Sequence, residues 1–144
     1  PAKVIMVAKT PDRVLAITTH GMSLEVVTHD GSLSFLRDGV QLTARKQLSP
    51  AQVKKYVDAL LRAADSEAAA AKKQERPDRM LKLWSGSEGK LAVAYWGGTL
   101  RIADKNGAVL SEQQMPQDVT ALAWANDRLI AGLADGRVVS VEIK

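Results

Sequence analysis

Leu129-Ile130-Ala131-Gly132-Leu133-Ala134-Asp135-Gly136-Arg137-Val138-Val139-Ser140-Val141 is the stretch that decides how this chain is read. Two alternating apolar runs flank an Asp-Gly pair, the composition of a two-residue hairpin turn in which glycine supplies positive φ. The arrangement recurs as Leu91-Ala92-Val93-Ala94-Tyr95-Trp96-Gly97-Gly98-Thr99-Leu100-Arg101-Ile102. It recurs again, with His20-Gly21 at the turn, across residues 14–27. In each copy a basic residue opens the strand and glycine follows it by eight: 13 and 21, 90 and 98, 128 and 136. Matches in phase at three places mark an internal repeat.

Working outward, an apolar strand precedes each copy at residues 4–8, 80–84 and 119–124, with Trp84 and Trp124 in corresponding places. Turns at Thr28-His29-Asp30-Gly31 and Asp104-Lys105-Asn106-Gly107 lead the first two copies into a fourth strand, residues 32–36 and 108–113. The unit is thus a four-stranded antiparallel meander. The third copy has no fourth strand before Lys144. Residues 40–46, after an Asp38-Gly39 turn, form a strand that it could borrow from its own chain or a partner. The second and third copies are 38 residues apart (128 − 90), and the first and second 77 (90 − 13), about two periods. A helical insert fills the difference. Ser49-Pro50-Ala51-Gln52 combines an N-cap, a proline at the first helical position and the glutamine of a capping box. Val53, Tyr56, Val57, Leu60, Leu61 and Ala64 follow as one apolar stripe, residues 68–71 prolong the helix, and Pro77 ends it.

Meanders of this period are the blades of β-propellers. Residues 119–124 with 129–138 resemble the central half of a WD-repeat blade, a likeness that extends over residues 80–143 and more loosely over 4–36. The Gly-His pair that opens such blades and the Trp-Asp pair that closes them are absent. The resemblance implies a mainly-β, single-domain architecture over residues 1–144, with blade-like segments 1–47, 78–116 and 117–144 and the helical insert at 48–77. Propellers close with four or more blades, and open blades leave sheet edges exposed. Completion by self-association is therefore expected, as a homodimer forming a six-bladed ring about a twofold axis or as a trimer. A monomeric barrel or sandwich with a packed helix is the competing architecture.

Composition narrows the function. With no cysteine there are no disulfides or thiolate metal sites, and no apolar run reaches membrane-spanning length, so a cytoplasmic protein without membrane contact is expected. His20 and His29 occupy turns at opposite ends of a strand, too far apart to share a metal ion. Pro1 would serve as a tautomerase-type base only if a helix followed the first strand, and a second strand follows instead. No nucleophile–base arrangement or phosphate loop occurs, so neither enzyme activity nor a cofactor is expected. Two residue groups are candidate binding elements. Tyr95 and Trp96, adjacent on a strand, point to opposite faces, so at most one is core, and Trp96 on a rim or lining a channel would be a binding hot spot. Lys72, Lys73, Arg76 and Arg79, with Lys82, form the densest basic run, interrupted by Glu75 and Asp78. The expected function is a non-catalytic protein–protein interaction scaffold with an unidentified protein partner. The alternatives are nucleic-acid contact through the basic helix end, or a small molecule or sugar stacked on Trp96.

Overall fold

The computed structural model describes residues 2–21, 23–37 and 40–143, without the side chains of residues 2 and 40–45. Pro1 and the Asp38-Gly39 turn lie outside the described residues. The strands form three four-stranded antiparallel sheets. The first blade pairs β2 (Val14–His20), β3 (Ser23–Thr28), β4 (Ser32–Arg37) and β5 (Val40–Gln47) in chain order. The second pairs β6 (Leu81–Ser87), β7 (Lys90–Tyr95), β8 (Thr99–Asp104) and β9 (Val109–Gln114) in the same way. The third consists of β10 (Val119–Ala125), β11 (Arg128–Leu133), β12 (Arg137–Ile143) and, outermost, β1 (Ala2–Lys9). The blade-like, mainly-β fold read from the sequence is the one that forms.

The strands are shared out differently from that reading. Residues 4–8, expected to open the first unit, instead complete the third: β1 runs antiparallel to β12, with Ala2 opposite Ile143 and Lys9 opposite Arg137. Residues 40–46, a strand that the third unit could have borrowed, stay on the first blade beside β4, within the blade-like segment 1–47. Both are outer strands, and the path of the chain selects the partner.

The phase of the first copy also changes. The glycine equivalent to Gly98 and Gly136 is Gly31, not Gly21, because the same bonds recur around these three. The amides of Leu48, Met115 and Thr10 each donate over 2.8 Å to the carbonyls of Gly31, Gly98 and Gly136. Those of His29, Trp96 and Ala134 donate to the carbonyls of Arg13, Met80 and Asp118 at 2.8, 2.9 and 3.0 Å. The side chains of Gln47, Gln114 and Lys9, each ending an outer strand, donate to the carbonyls of Asp30, Gly97 and Asp135. Gly21 belongs with Gly89 and Asn126 in the innermost hairpins, where φ is 61°, 75° and 57°. Both hairpin classes require positive φ, so a glycine count alone matched the wrong one. With Gly31 in phase, the spacings are 67 (98 − 31) and 38 (136 − 98), and the excess of 29 is the helical insert. The same register makes Leu122, opposite Ala131, the counterpart of Trp84, opposite Val93; Trp124 lies two residues beyond.

The third blade sits between the other two, with β10 packed against β2 on one side and β6 on the other. Val14, Ile17 and Val26 meet Ala121 and Ile130 across one seam, and Ala92, Ala94 and Leu100 meet Leu122, Leu129 and Leu133 across the other. A Cβ on Gly132 would stand 2.4 Å from Val14 Cγ1, so the close approach at the first seam needs glycine there. Burial on both faces explains why β7 is apolar from Leu91 onward: Ala92 and Ala94 face the third blade, while Leu91, Val93 and Tyr95 face away from it.

The remaining gap, between the first and second blades, is filled by α1 (Pro50–Asp65) and α2 (Ala68–Lys72). The capping box forms as read: Gln52 N–H donates to Ser49 Oγ (3.2 Å) and Ser49 N–H to Gln52 Oε1 (2.8 Å). Val53, Tyr56 and Leu60 cover Ala16, Val27 and Leu33 of the first blade, and Ala71 packs on Leu91, Val93 and Tyr95 of the second. Leu61, expected in the stripe, is exposed. The helix breaks at Ser66–Glu67, where the Ala64 carbonyl accepts from Glu67 N–H (3.0 Å) and from Trp84 Nε1 (2.7 Å) instead of from residue 68. Side-chain hydrogen bonds cross each junction of this four-part circuit. Thr19 Oγ1 donates to Trp124 O (2.8 Å), Trp124 Nε1 to Ser85 O (2.9 Å), Trp84 Nε1 to Ala64 O, and Tyr56 OH to Glu25 Oε2 (2.8 Å).

Candidate interaction site

β7 ends at Tyr95, and the next residue enters the turn to β8. The alternation expected at this point is what the strand delivers: Tyr95 is 0% exposed and Trp96 51%. Tyr95 donates its hydroxyl to Gln74 O, and the guanidinium groups of Arg76 (5.5 Å) and Arg101 (5.6 Å) both lie near its ring centroid. Burial raises the phenol above its ordinary pKa. Arg76 is committed to Asp78 (2.9 Å) and Glu112 (3.0 Å), and Glu112 also takes Arg101 (2.9 Å). The Arg76 hydrogen bond holds the Asp78 carboxyl below the usual range. Tyr95 and Arg76, both read as candidate binding residues, thus pin the segment after α2 to the second blade.

Trp96 is held from behind and open in front. Its amide donates to Met80 O, and Lys82 Nζ lies 4.6 Å from its ring centroid while donating to Val119 O at 2.6 Å. Desolvation lowers the Lys82 pKa, Arg13 adding to the effect and Asp118 opposing it. Asp118 Oδ1 accepts from Gly97 N–H at 2.8 Å and so braces the turn that carries the indole. Beside it Met80 is 72% exposed. The Arg79 guanidinium approaches the same turn, its Nη1 3.4 Å from where a Cβ on Gly97 would lie. An open cleft of about 550 Å³ runs alongside, lined by residues 75–81. Met80 and Asp118 were not singled out from sequence. Their 38-residue separation (118 − 80) is the signal that identifies them as equivalent places in successive blades.

The basic run does not make one track. Arg76 is neutralised, Arg79 and Lys82 lie at the Trp96 turn, Lys72 ends α2, and Lys73 faces a separate cleft of about 220 Å³ with Lys90 and Lys105. The two histidines also stay apart: His20 Nε2 lies 2.7 Å from Glu25 Oε1, and His29 Nδ1 is 3.8 Å from Asp12. At the centre of the circuit a cavity of about 320 Å³ is walled by β2, β6, β10 and α1, among them Thr18, Tyr56, Ser85 and Trp124.

No protein-family model matches the chain, and no curated protein matches it in sequence. Solved structures similar to it include BamB from Moraxella catarrhalis, at 19% identity and TM-score 0.43, covering 89% of this chain and 32% of that one. The computationally designed Ika4 protein is similar at 17% identity and TM-score 0.42, covering 91% and 66%. Chaetomium thermophilum Raptor is similar at 11% identity and TM-score 0.43, covering 92% and 11%. The chain spans about a third of the length of the BamB structure. Its blade-like description rests on its own strand pairing.

Proposed function

We propose that this chain is a non-catalytic protein–protein interaction scaffold that docks a partner at the turn face centred on Trp96. The observation that carries the reading is the mounting of Trp96: a half-exposed indole, backed by the Lys82 ammonium, that follows directly on a buried strand. A rigid tryptophan loses little conformational entropy on binding, and such residues dominate interface energetics. Met80 extends the apolar area, and the Arg79 fork supplies a directional donor at its edge. A second copy of the chain is a further partner under this proposal. Because the helical insert already fills the gap between blades, self-association would use the outer edges, where Val4, Ile5 and Met6 of β1 and Val109 and Leu110 of β9 are exposed.

Selection of binding peptides from a random displayed library, followed by NMR mapping on the isotopically labelled protein, tests the docking reading. Selected peptides should shift the Trp96 indole and lose at least about thirtyfold in affinity on Trp96→Ala, the 2 kcal/mol expected of a hot spot. Peptides that bind the variant as tightly as the parent would overturn it.

A further inference from the structure

We propose a second, independent site: the cleft between α2 and the second blade binds a small anion bearing phosphate, such as a diphosphate or phosphate monoester. Three lysines line it from three separate elements. Lys73 caps the C-terminus of α2, Lys90 opens β7, and Lys105 lies in the turn from β8 to β9. Folding brings them together, since no local sequence pattern links them. None of their ammonium groups makes a hydrogen bond or ion pair among the described residues, in contrast to the guanidinium groups of Arg76, Arg101 and Arg137, which all have carboxylate partners.

The carboxylates of the lining are Glu67 and Asp104. Asp104 serves its own turn, its Oδ1 accepting from the amides of Asn106 (2.8 Å) and Ala108 (2.9 Å). The lining therefore carries three ammonium groups against two carboxylates, of which Asp104 is held by its own turn. An anion with two or more charges is attracted to that excess of positive charge. Lysine is a suitable donor because it binds phosphate as a point charge without needing bidentate geometry.

The shape fits the same chemistry. Gln74 lines the cleft, buried and fixed, donating to Gly107 O (3.1 Å) and accepting from Arg101 (3.1 Å). Gly89, at φ 75°, has nothing within 4 Å of where a Cβ would stand, so the backbone at that rim is open to a ligand. The cleft, about 220 Å³ in volume, is larger than a monatomic ion needs and too small for a folded partner.

Calorimetric titration with sodium pyrophosphate at low ionic strength, paired with amide NMR, tests the assignment. The expected result is saturable one-to-one binding that shifts the Gly89 and Gly107 amides. Lys90→Gln and Lys105→Gln should each weaken it about tenfold, the scale of one charge-assisted contact. Glu67→Gln should tighten it, and Lys55→Gln, outside the cleft on α1, should leave it unchanged. Lys105 is exposed in a turn, so its variant tests the site even if Lys90→Gln fails to fold. Equal weakening by Lys55→Gln and Lys105→Gln, or a non-saturating titration, would reduce the effect to diffuse attraction to a chain of net charge +4 and overturn the proposal. Either result leaves Trp96 docking untouched, because the two sites share no residue.

Discussion

Replacing Gly136 with alanine should be among the most damaging single-methyl additions in this protein. At φ 94° alanine bears a steric cost of about 1–2 kcal/mol. Its Cβ would also stand 2.3 Å from Thr10 O and 2.7 Å from Asp12 O, both main-chain atoms of the segment that joins β1 to β2. Relieving that clash means moving the segment, which strains the bonds to Gly136 O from Thr10 N–H (2.8 Å) and Thr10 Oγ1 (2.7 Å), each contributing about 1 kcal/mol. The sum is about 3–4 kcal/mol, a fall of roughly 10 °C or more in Tm for a chain of this size. Gly21→Ala is the control: φ is 61° and nothing lies within 4 Å of the added atom, so only the backbone cost of about 1–2 kcal/mol applies. Gly31→Ala should fall between, because its nearest obstacle is the movable Gln47 amide at 2.5 Å. Thermal and urea unfolding followed by circular dichroism would rank the three. Equal destabilisation by Gly21→Ala and Gly136→Ala would refute the assignment of Gly31, rather than Gly21, to the equivalent turn.

Three further outcomes follow from the same structure. Trp124→Phe, which removes the donor to Ser85 O, should lower stability by about 1 kcal/mol, whereas Trp96→Ala should shift the urea midpoint less despite the larger deletion. Tyr56→Phe should cost about 1 kcal/mol by freeing α1 from Glu25, read as faster amide exchange across residues 50–65. Asp135 has its pKa lowered chiefly by the Arg137 hydrogen bond. Its contribution is therefore present above the ordinary aspartate range, near ~pH 4, and disappears as pH falls through the lowered folded value. The stability gap between the parent and Asp135→Asn should accordingly narrow on acidification below that range, as measured by urea midpoints.

Local chemistry was legible in the sequence wherever one residue fixes one geometry. The Ser49–Gln52 capping box, the positive-φ turns and the split between Tyr95 and Trp96 all follow from single-residue requirements, and all three form. Ownership of the outer strands was not legible, because residues 4–8 and 40–46 have the same edge-strand character and their partners depend on where the chain runs. Nor was the phase of the first copy, since the Gly21 and Gly31 turns make the same demand on φ. The stripe of α1 was visible, but what it covers depends on which blade faces are left open. At the candidate sites, charge alone could not separate Arg76 from Lys73. The difference is Glu112, 36 residues from Arg76 in sequence and in contact with it only after folding.

The central claim is that the helical insert takes the place of a blade and completes the circuit between the first and second sheets. The chain's three tryptophans allow one measurement to test it: indole N–H exchange and NOE spectroscopy on the ¹⁵N-labelled protein. The account predicts slow exchange for Trp84, with NOEs to Ala64 of α1, and for Trp124, with NOEs to Ser85, while Trp96 exchanges rapidly at the surface. A Trp84 indole that exchanges as fast as Trp96 and shows no contact with α1 would contradict it.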